Sequence, residues 1–320
     1  AFDRTVDRFP DHDALIVRHQ GIRWTYRQYR EQVDRLAGGL LALGVKAGDR
    51  VGIWAPNCYE WCLTQFATAR MGAILVCINP AYRVFELEYA LNKSGCKAIV
   101  AAESFKSSRY LEMLQRLAPE LDHCQPGQLR SEKLPALSTV IRMGEARTPG
   151  MFNFADVCNK GEAQDLVRLA EVAQKLSPHD VINIQFTSGT TGNPKGAALS
   201  HYNILNNANQ VAHGMRFTEL DRLCIPVPMY HCFGMVLGKM ACVTRGATAV
   251  FSADAFEPGA VLEAVEAEKC TALHGVPTMF IAELEYPGFD RYDLSTLRTG
   301  SMAGAPCPVE VMKKVISRMH

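Results

Sequence analysis

The sequence has no uninterrupted apolar run long enough to cross a membrane as a helix, so it does not read as a helical membrane protein. It has no excess of either charge. Its 34 Lys and Arg face 33 Asp and Glu, and no long basic stripe runs through it. That balance argues against nucleic-acid binding but leaves room for a local phosphate site. It has no C-x-x-C pair and no tight Cys/His cluster, so no zinc site and no protein metal ligand is identified. It also lacks internal repeats and low-complexity tracts. The first residues, Ala1 to Pro10, are charged and lack the apolar core of a secretion signal.

What is present is ordinary for a globular chain: 320 residues, 48% hydrophobic and 21% charged, enough for one large α/β unit or two lobes. Eleven cysteines are scattered, mostly in apolar runs, and read as reduced, buried thiols. This makes the cytoplasm the expected location, with the mitochondrial matrix as the organellar alternative.

Strand and helix patterns alternate. Thr25 and Gln28 form a capping box, and Tyr29, Val33, Leu36, Ala37 and Leu40 recur at helical spacing until Gly44. Strands are predicted at 50–55, 73–78, 97–102, 139–143 and 181–186, then at 222–227, 247–251, 271–275 and 297–301. Helices are predicted at 59–71, 85–92, 105–117, 162–175, 200–213, 233–242, 258–268 and 308–319. This is the rhythm of mostly parallel sheets covered by helices. The proline-rich stretch 119–160 breaks it and reads largely as loop. The predicted organisation is a first α/β lobe over 1–176 and a second over 177–320.

The sharpest feature is Thr187-Ser188-Gly189-Thr190-Thr191-Gly192-Asn193-Pro194-Lys195-Gly196, directly after the strand 181–186. Gly189 and Gly192 let backbone N–H groups converge on an anion, Thr187, Ser188, Thr190 and Thr191 offer hydroxyl donors, and Lys195 supplies a compact positive charge. Pro194 before the lysine and Gly196 after it rule out a Walker A loop, and G-x-G-x-x-G is absent. An ordinary surface loop between a strand and a helix is the alternative.

This loop, with Phe186 before it and Leu199-Ser200-His201 after it, resembles the signature of the adenylate-forming (AMP-binding) superfamily. Within it, the medium-chain branch of the acyl-CoA synthetases looks most similar. The resemblance covers the whole chain. It implies two mostly parallel sheets sandwiched by helices in a layered arrangement, as in the large N-terminal domain of those enzymes. It also implies that the family's Tyr-Gly-x-Thr-Glu segment, its ribose-binding aspartate and its small C-terminal lid domain with a catalytic lysine lie beyond residue 320. On that reading the fold is incomplete and the chain alone has little ligase activity.

The activity implied is ATP-dependent conversion of a fatty acid to an acyl-adenylate with release of pyrophosphate, then thioester formation with coenzyme A. ATP is held by Thr187, Ser188, Gly189, Thr190, Thr191, Gly192 and Lys195, and Mg²⁺ is implied through the phosphates. Lys195, His231 and Thr187 take the catalytic roles. His231, in Pro228-Met229-Tyr230-His231-Cys232-Phe233-Gly234, matches a family histidine beside the carboxylate. Phe233, Gly234 and Met235 would line the acyl tunnel, and Val276 and Thr278, in His274-Gly275-Val276-Pro277-Thr278-Met279, its wall. Gly304, Ala305 and Pro306 match the turn against adenine. A core histidine satisfied by backbone, core-filling methionines and a tight sheet-to-helix turn are the structural alternatives for these three segments. The competing functions are an aryl- or short-chain acid–CoA ligase and a non-catalytic nucleotide-binding relative. Analogy with the family also suggests a homodimer.

Overall fold

A computed structural model describes residues 1–161, 163–187 and 193–319. The chain falls into two compact units. One holds residues 1–30, 57–59 and 204–320; the other holds 31–56 and 60–203. Each is built on its own sheet.

The sheet of the second unit contains β3 (Arg50–Trp54), β4 (Ile74–Cys77), β5 (Cys96–Ala101), β8 (Thr139–Arg142), β9 (Met151–Asn153), β10 (Val181–Phe186) and β11 (Gly196–Ser200), in the order β11-β10-β4-β3-β5-β8-β9. All neighbours are parallel except β10 and β11. β3, β4, β5 and β8 are buried along nearly their whole length, as a sheet covered on both faces requires. Trp54, Val76, Ile78, Leu87, Ile99, Tyr110 and Leu114 belong to one core cluster. The order reverses at β3, with β4 on one side and β5 on the other. Such switch points place ligand sites at the carboxyl ends of the strands.

The sheet of the first unit contains β1 (Asp13–Val17), β2 (Ile22–Thr25), β12 (Arg222–Cys224), β13 (Thr248–Phe251), β14 (Ala272–Gly275) and β15 (Thr299–Met302), in the order β15-β14-β12-β13-β1-β2. Only β2 runs antiparallel to its neighbour. Here the switch falls at β12, between β13 and β14.

A linear division at residue 176 does not follow these sheets. β1 and β2 pair into the sheet of β12 to β15, and β10 and β11 extend that of β3 to β9. Most predicted elements lie within a few residues of those observed, and strand 181–186 has the predicted limits. The Thr25–Gln28 box is present: Gln28 Oε1 accepts from the Thr25 N–H at 3.0 Å, and Thr25 Oγ1 from the Gln28 N–H at 3.3 Å. Three differences have local causes. The helix predicted from 105 begins at Tyr110, because β6 (Ser104–Phe105) and β7 (Ser108–Arg109) form a tight hairpin with Lys106 at φ 51°. The stretch 119–160 supplies β9 and the short helix Phe154–Cys158. Residues 196–200 form a strand, so the hydroxyl-rich segment leads to a hairpin partner instead of straight into a helix.

All eleven cysteines are free thiols, and seven are buried. Among the described residues, no helix is long and apolar enough to cross a membrane.

Glu283, on the helix Pro277–Leu284, is fully buried, and neither carboxylate oxygen has a hydrogen-bond partner. Burial pushes its pKa well above the ordinary carboxylate value. The folded state therefore holds a proton that the unfolded chain releases near pH 4.5. Stability falls as pH rises from there toward the raised folded value. Glu283→Gln removes this loss. Its melting temperature should match the parent's near pH 4.5 and exceed it by on the order of 2 °C or more at pH 8. Parallel melting curves across that range would contradict the assignment.

Candidate functional site

The hydroxyl-rich segment closes as a β-hairpin at its described ends. Phe186 pairs with Gly196, and beyond that pair Thr187 N–H donates to Lys195 O at 2.9 Å. Lys195 N–H donates to Thr187 Oγ1 at 3.3 Å. Because β10 runs parallel to β4, with Gln185 opposite Cys77, the hairpin leaves the sheet at its carboxyl edge beside the exit of β4. The Lys195 side chain is exposed. Ser188, Gly189, Thr190, Thr191 and Gly192 lie outside the described residues. The structure thus brings together Thr187 and Lys195.

The exit of β4 is built from buried aromatics. Trp54 stacks on Tyr110 with ring centroids 3.8 Å apart. The Trp54 indole donates to Asn79 O at 3.1 Å and the Tyr110 phenol to Pro80 O at 2.6 Å.

In the other unit, His231 lies on the segment that leaves β12, the strand at the switch point. Asn57, which is buried, clamps this segment. Its side-chain amide donates to Val227 O at 3.1 Å and accepts from Met229 N–H at 2.8 Å, while its own N–H donates to Asp254 O at 3.0 Å. Nothing in the sequence marks Asn57 apart from its place after a strand-ending proline. The chain then enters the π-helix Phe233–Met240, a rare geometry that recurs at functional sites. Gly234 permits this entry, since a Cβ there would stand 2.5 Å from Pro228 O.

The His231 ring is exposed, yet its Nδ1 accepts the Phe233 N–H at 3.1 Å. That bond requires the Nε2–H tautomer, so Nε2 is a donor. Partial desolvation lowers its pKa from the ordinary imidazole value and keeps it neutral near pH 7. A neutral N–H donor suits a carboxylate or phosphoryl oxygen and supplies no nucleophile.

Phe233 and Met235 are buried, and Phe233 lies 5.2 Å from the ring of His274. His274 is fully buried, its pKa is pushed down to about 4 by burial, and its Nε2 meets Leu237 O at 3.1 Å. It answers to the core-histidine description that competed for His231. Met229 and Met240 are buried as well, while Met279 is partly exposed.

Parallel pairing of β14 with β15, ending at Gly275 and Met302, carries the two downstream segments side by side. Ala303 N–H donates to Gly275 O at 3.2 Å. Gly304, at φ 88°, crosses so close to Val276 that a Cβ would lie 3.1 Å from its Cγ1. Val276 is partly exposed, and Thr278, Gly304, Ala305 and Pro306 are exposed. The small residues of this turn are therefore exposed beside Val276. Arg298 is structural: it grips Asp221 with Nε at 3.0 Å and Nη2 at 2.6 Å. A cavity of about 290 Å³ between β15 and the helix Val309–Arg318 includes none of the residues singled out in the sequence.

Comparison with known proteins follows this geometry. The model of the family described as AMP-binding enzyme matches residues 2–320. YngI of Bacillus subtilis is 49% identical over 317 residues, 99% of this chain and 58% of its own length. The bovine protein named medium-chain acyl-CoA ligase ACSF2, mitochondrial, is 47% identical over 323 residues, 99% of this chain and 52% of its own. The chain thus spans a little over half the length of these relatives. The crystal structure of the anthranilate CoA ligase AuaEII in complex with anthranoyl-AMP shares the fold, with a TM-score of 0.86 at 22% identity, over 99% of this chain and 57% of that one. The names also correct the cytoplasmic expectation. The bovine relative and its zebrafish, rodent and primate counterparts are named mitochondrial. Reduced, buried thiols are as compatible with that compartment as with the cytoplasm, so the cysteines could not discriminate.

Proposed function

Because the chain belongs to the AMP-binding enzyme family, we propose that it forms the nucleotide- and acid-binding part of a longer enzyme that activates a carboxylic acid with ATP and passes the acyl group to coenzyme A. The hairpin of β10 and β11 carries this reading. It presents Lys195 and Thr187 together at the carboxyl edge of a sheet, in the segment whose sequence resembles the family signature. The acid's carboxylate oxygen attacks the α-phosphorus of ATP, the bond to the β-phosphate bridge breaks, and pyrophosphate leaves. The thiol of coenzyme A then attacks the acyl carbon and AMP departs.

In this scheme Lys195 and Thr187, with 188–192, neutralise the polyphosphate. His231 donates Nε2–H to the carboxylate or adenylate, and Gly304, Ala305 and Pro306 receive adenine. Val276 and Thr278 border the acid, with Phe233, Gly234 and Met235 shaping the tunnel behind His231. Mg²⁺ would offset the growing charge on the leaving group. Among the described residues, no group of three or more His, Cys, Asp or Glu side chains could hold it. In this scheme it would be held through the phosphates, as the family resemblance implies. A mitochondrial location accords with the vertebrate relatives' names.

Two acid classes fit. Relatives 45–47% identical carry medium-chain names, whereas the anthranilate ligase shares the fold and acts on an aryl acid. Titrating this chain with non-hydrolysable acyl-adenylate analogues of graded chain length and with an aryl analogue separates them. Tighter binding of either class than of AMP supports acid activation, and the preferred analogue names the acid. Equal affinity for AMP and every analogue would sink the proposal.

A further inference from the structure

We propose that Tyr89 is a positioning residue for Lys195, acting through the peptide group that joins Pro194 to Lys195. The proposal rests on the reading of Lys195 as a phosphate ligand. The Tyr89 phenol donates to Pro194 O at 3.1 Å, and the N–H of the same peptide group donates to Thr187 Oγ1 at 3.3 Å. Both polar ends of one peptide plane are thus held by side chains. Turning that plane changes φ of Lys195 and swings its long side chain, so the clamp sets where the ammonium group starts from. The two bonds also polarise one another through the amide, which strengthens each.

The clamp is anchored on a rigid element. Tyr89 sits on the helix Val84–Ser94, which opens with Glu86 Oε2 accepting from Arg83 N–H at 3.1 Å and ends at Gly95 in the left-handed conformation. Leu87 and Leu91 of that helix lie in the same core cluster as Trp54, Val76 and Ile78. A hydroxyl held by the core reaches the exposed hairpin one residue before its cation.

The test is equilibrium binding of ATP, inorganic pyrophosphate and AMP to this chain, to Tyr89→Phe and to Lys195→Ala, with melting temperatures alongside. Tyr89→Phe keeps the ring and removes only the hydroxyl. It should weaken ATP and pyrophosphate by about three- to tenfold and leave AMP and the melting temperature unchanged. If Lys195→Ala loses ATP affinity while Tyr89→Phe binds as the parent does, the positioning role is wrong and the phosphate reading stands. If Tyr89→Phe weakens AMP equally, or melts lower in proportion, its role is only structural. If Lys195→Ala binds ATP and pyrophosphate as the parent does, the phosphate reading fails and takes this inference with it.

Discussion

Lys195→Ala is expected to weaken ATP binding to this chain by about 10- to 100-fold without lowering its melting temperature and, in a longer protein that carries the lid domain implied by the resemblance, to slow adenylate formation by about 100-fold or more. The argument begins with exposure. The side chain is exposed and carries no ion pair among the described residues, so its removal breaks no packing. Its backbone is held by bonds to Thr187 that alanine retains. What disappears, on the proposed reading, is a positive charge for the polyphosphate, where a charge-assisted bond contributes about 1.5–3 kcal/mol. The effect on rate exceeds the effect on binding, because charge grows on the pyrophosphate as the bond to the α-phosphorus breaks. Lys195→Arg keeps the charge on a larger, planar head and should fall between the two. Raising the ionic strength should narrow the gap between parent and alanine variant, since an exposed charge is screened. Isothermal titration at low and high salt tests both. Unchanged ATP affinity at low salt would remove Lys195 from the site.

How much of this was legible in the sequence depended on whether the signal was local. Strand 181–186 is a run of six residues bounded by a hydroxyl-rich stretch, and its limits were readable. The Thr25–Gln28 box spans four residues and formed as expected. The proximity of Val276 to Gly304 was not legible, because parallel pairing of β14 and β15 is a contact between distant segments. Nor was the membership of β1 and β2 in the sheet of β12 to β15, which requires Leu15 to find Ala249. β11 was missed for a different reason. Gly196, Ala197 and Ala198 are exposed and have weak strand propensity, so only pairing with β10 makes them a strand. The candidate loop at 187–196 was found from residue chemistry, and the other candidate segments from the family resemblance. The residues that hold them, Asn57 and Tyr89, carry no motif and became visible only as hydrogen bonds to other segments.

The largest stability effect is expected at Asp221, which is nearly fully buried and joins four segments. Its carboxylate accepts from Arg298 Nε and Nη2, from Thr271 Oγ1 at 2.6 Å, and from Thr218 N–H at 2.8 Å. Arg298 in turn donates to Met215 O at 3.2 Å and Arg216 O at 3.0 Å. These bonds fasten the end of the helix His201–Gly214 to the starts of β12, β14 and β15. Burial alone would raise the pKa of Asp221, but the bonds from Arg298, Thr271 and Thr218 outweigh it and hold the pKa below the usual value. Asp221→Ala leaves five donors without their acceptor, the fifth being Thr218 Oγ1 at 3.2 Å, and should cost about 2–4 kcal/mol, below the full cost of a broken buried pair because Arg298 is partly exposed and can regain water. For a chain of this size that lowers the melting temperature by on the order of 3–6 °C. The sign of the pH dependence follows from the depressed pKa. The contribution is complete above the unfolded value near 3.8 and is lost as pH falls through the lower folded value. The deficit of Asp221→Ala should therefore be full at pH 7 and shrink in strong acid. Arg298→Ala leaves the carboxylate buried with only its threonine donors, so it should destabilise by a similar amount. The double variant should lose less than the sum of the two, because the second change removes a group already unpaired. Additive losses in denaturant titrations would show that the pair does not act as a unit.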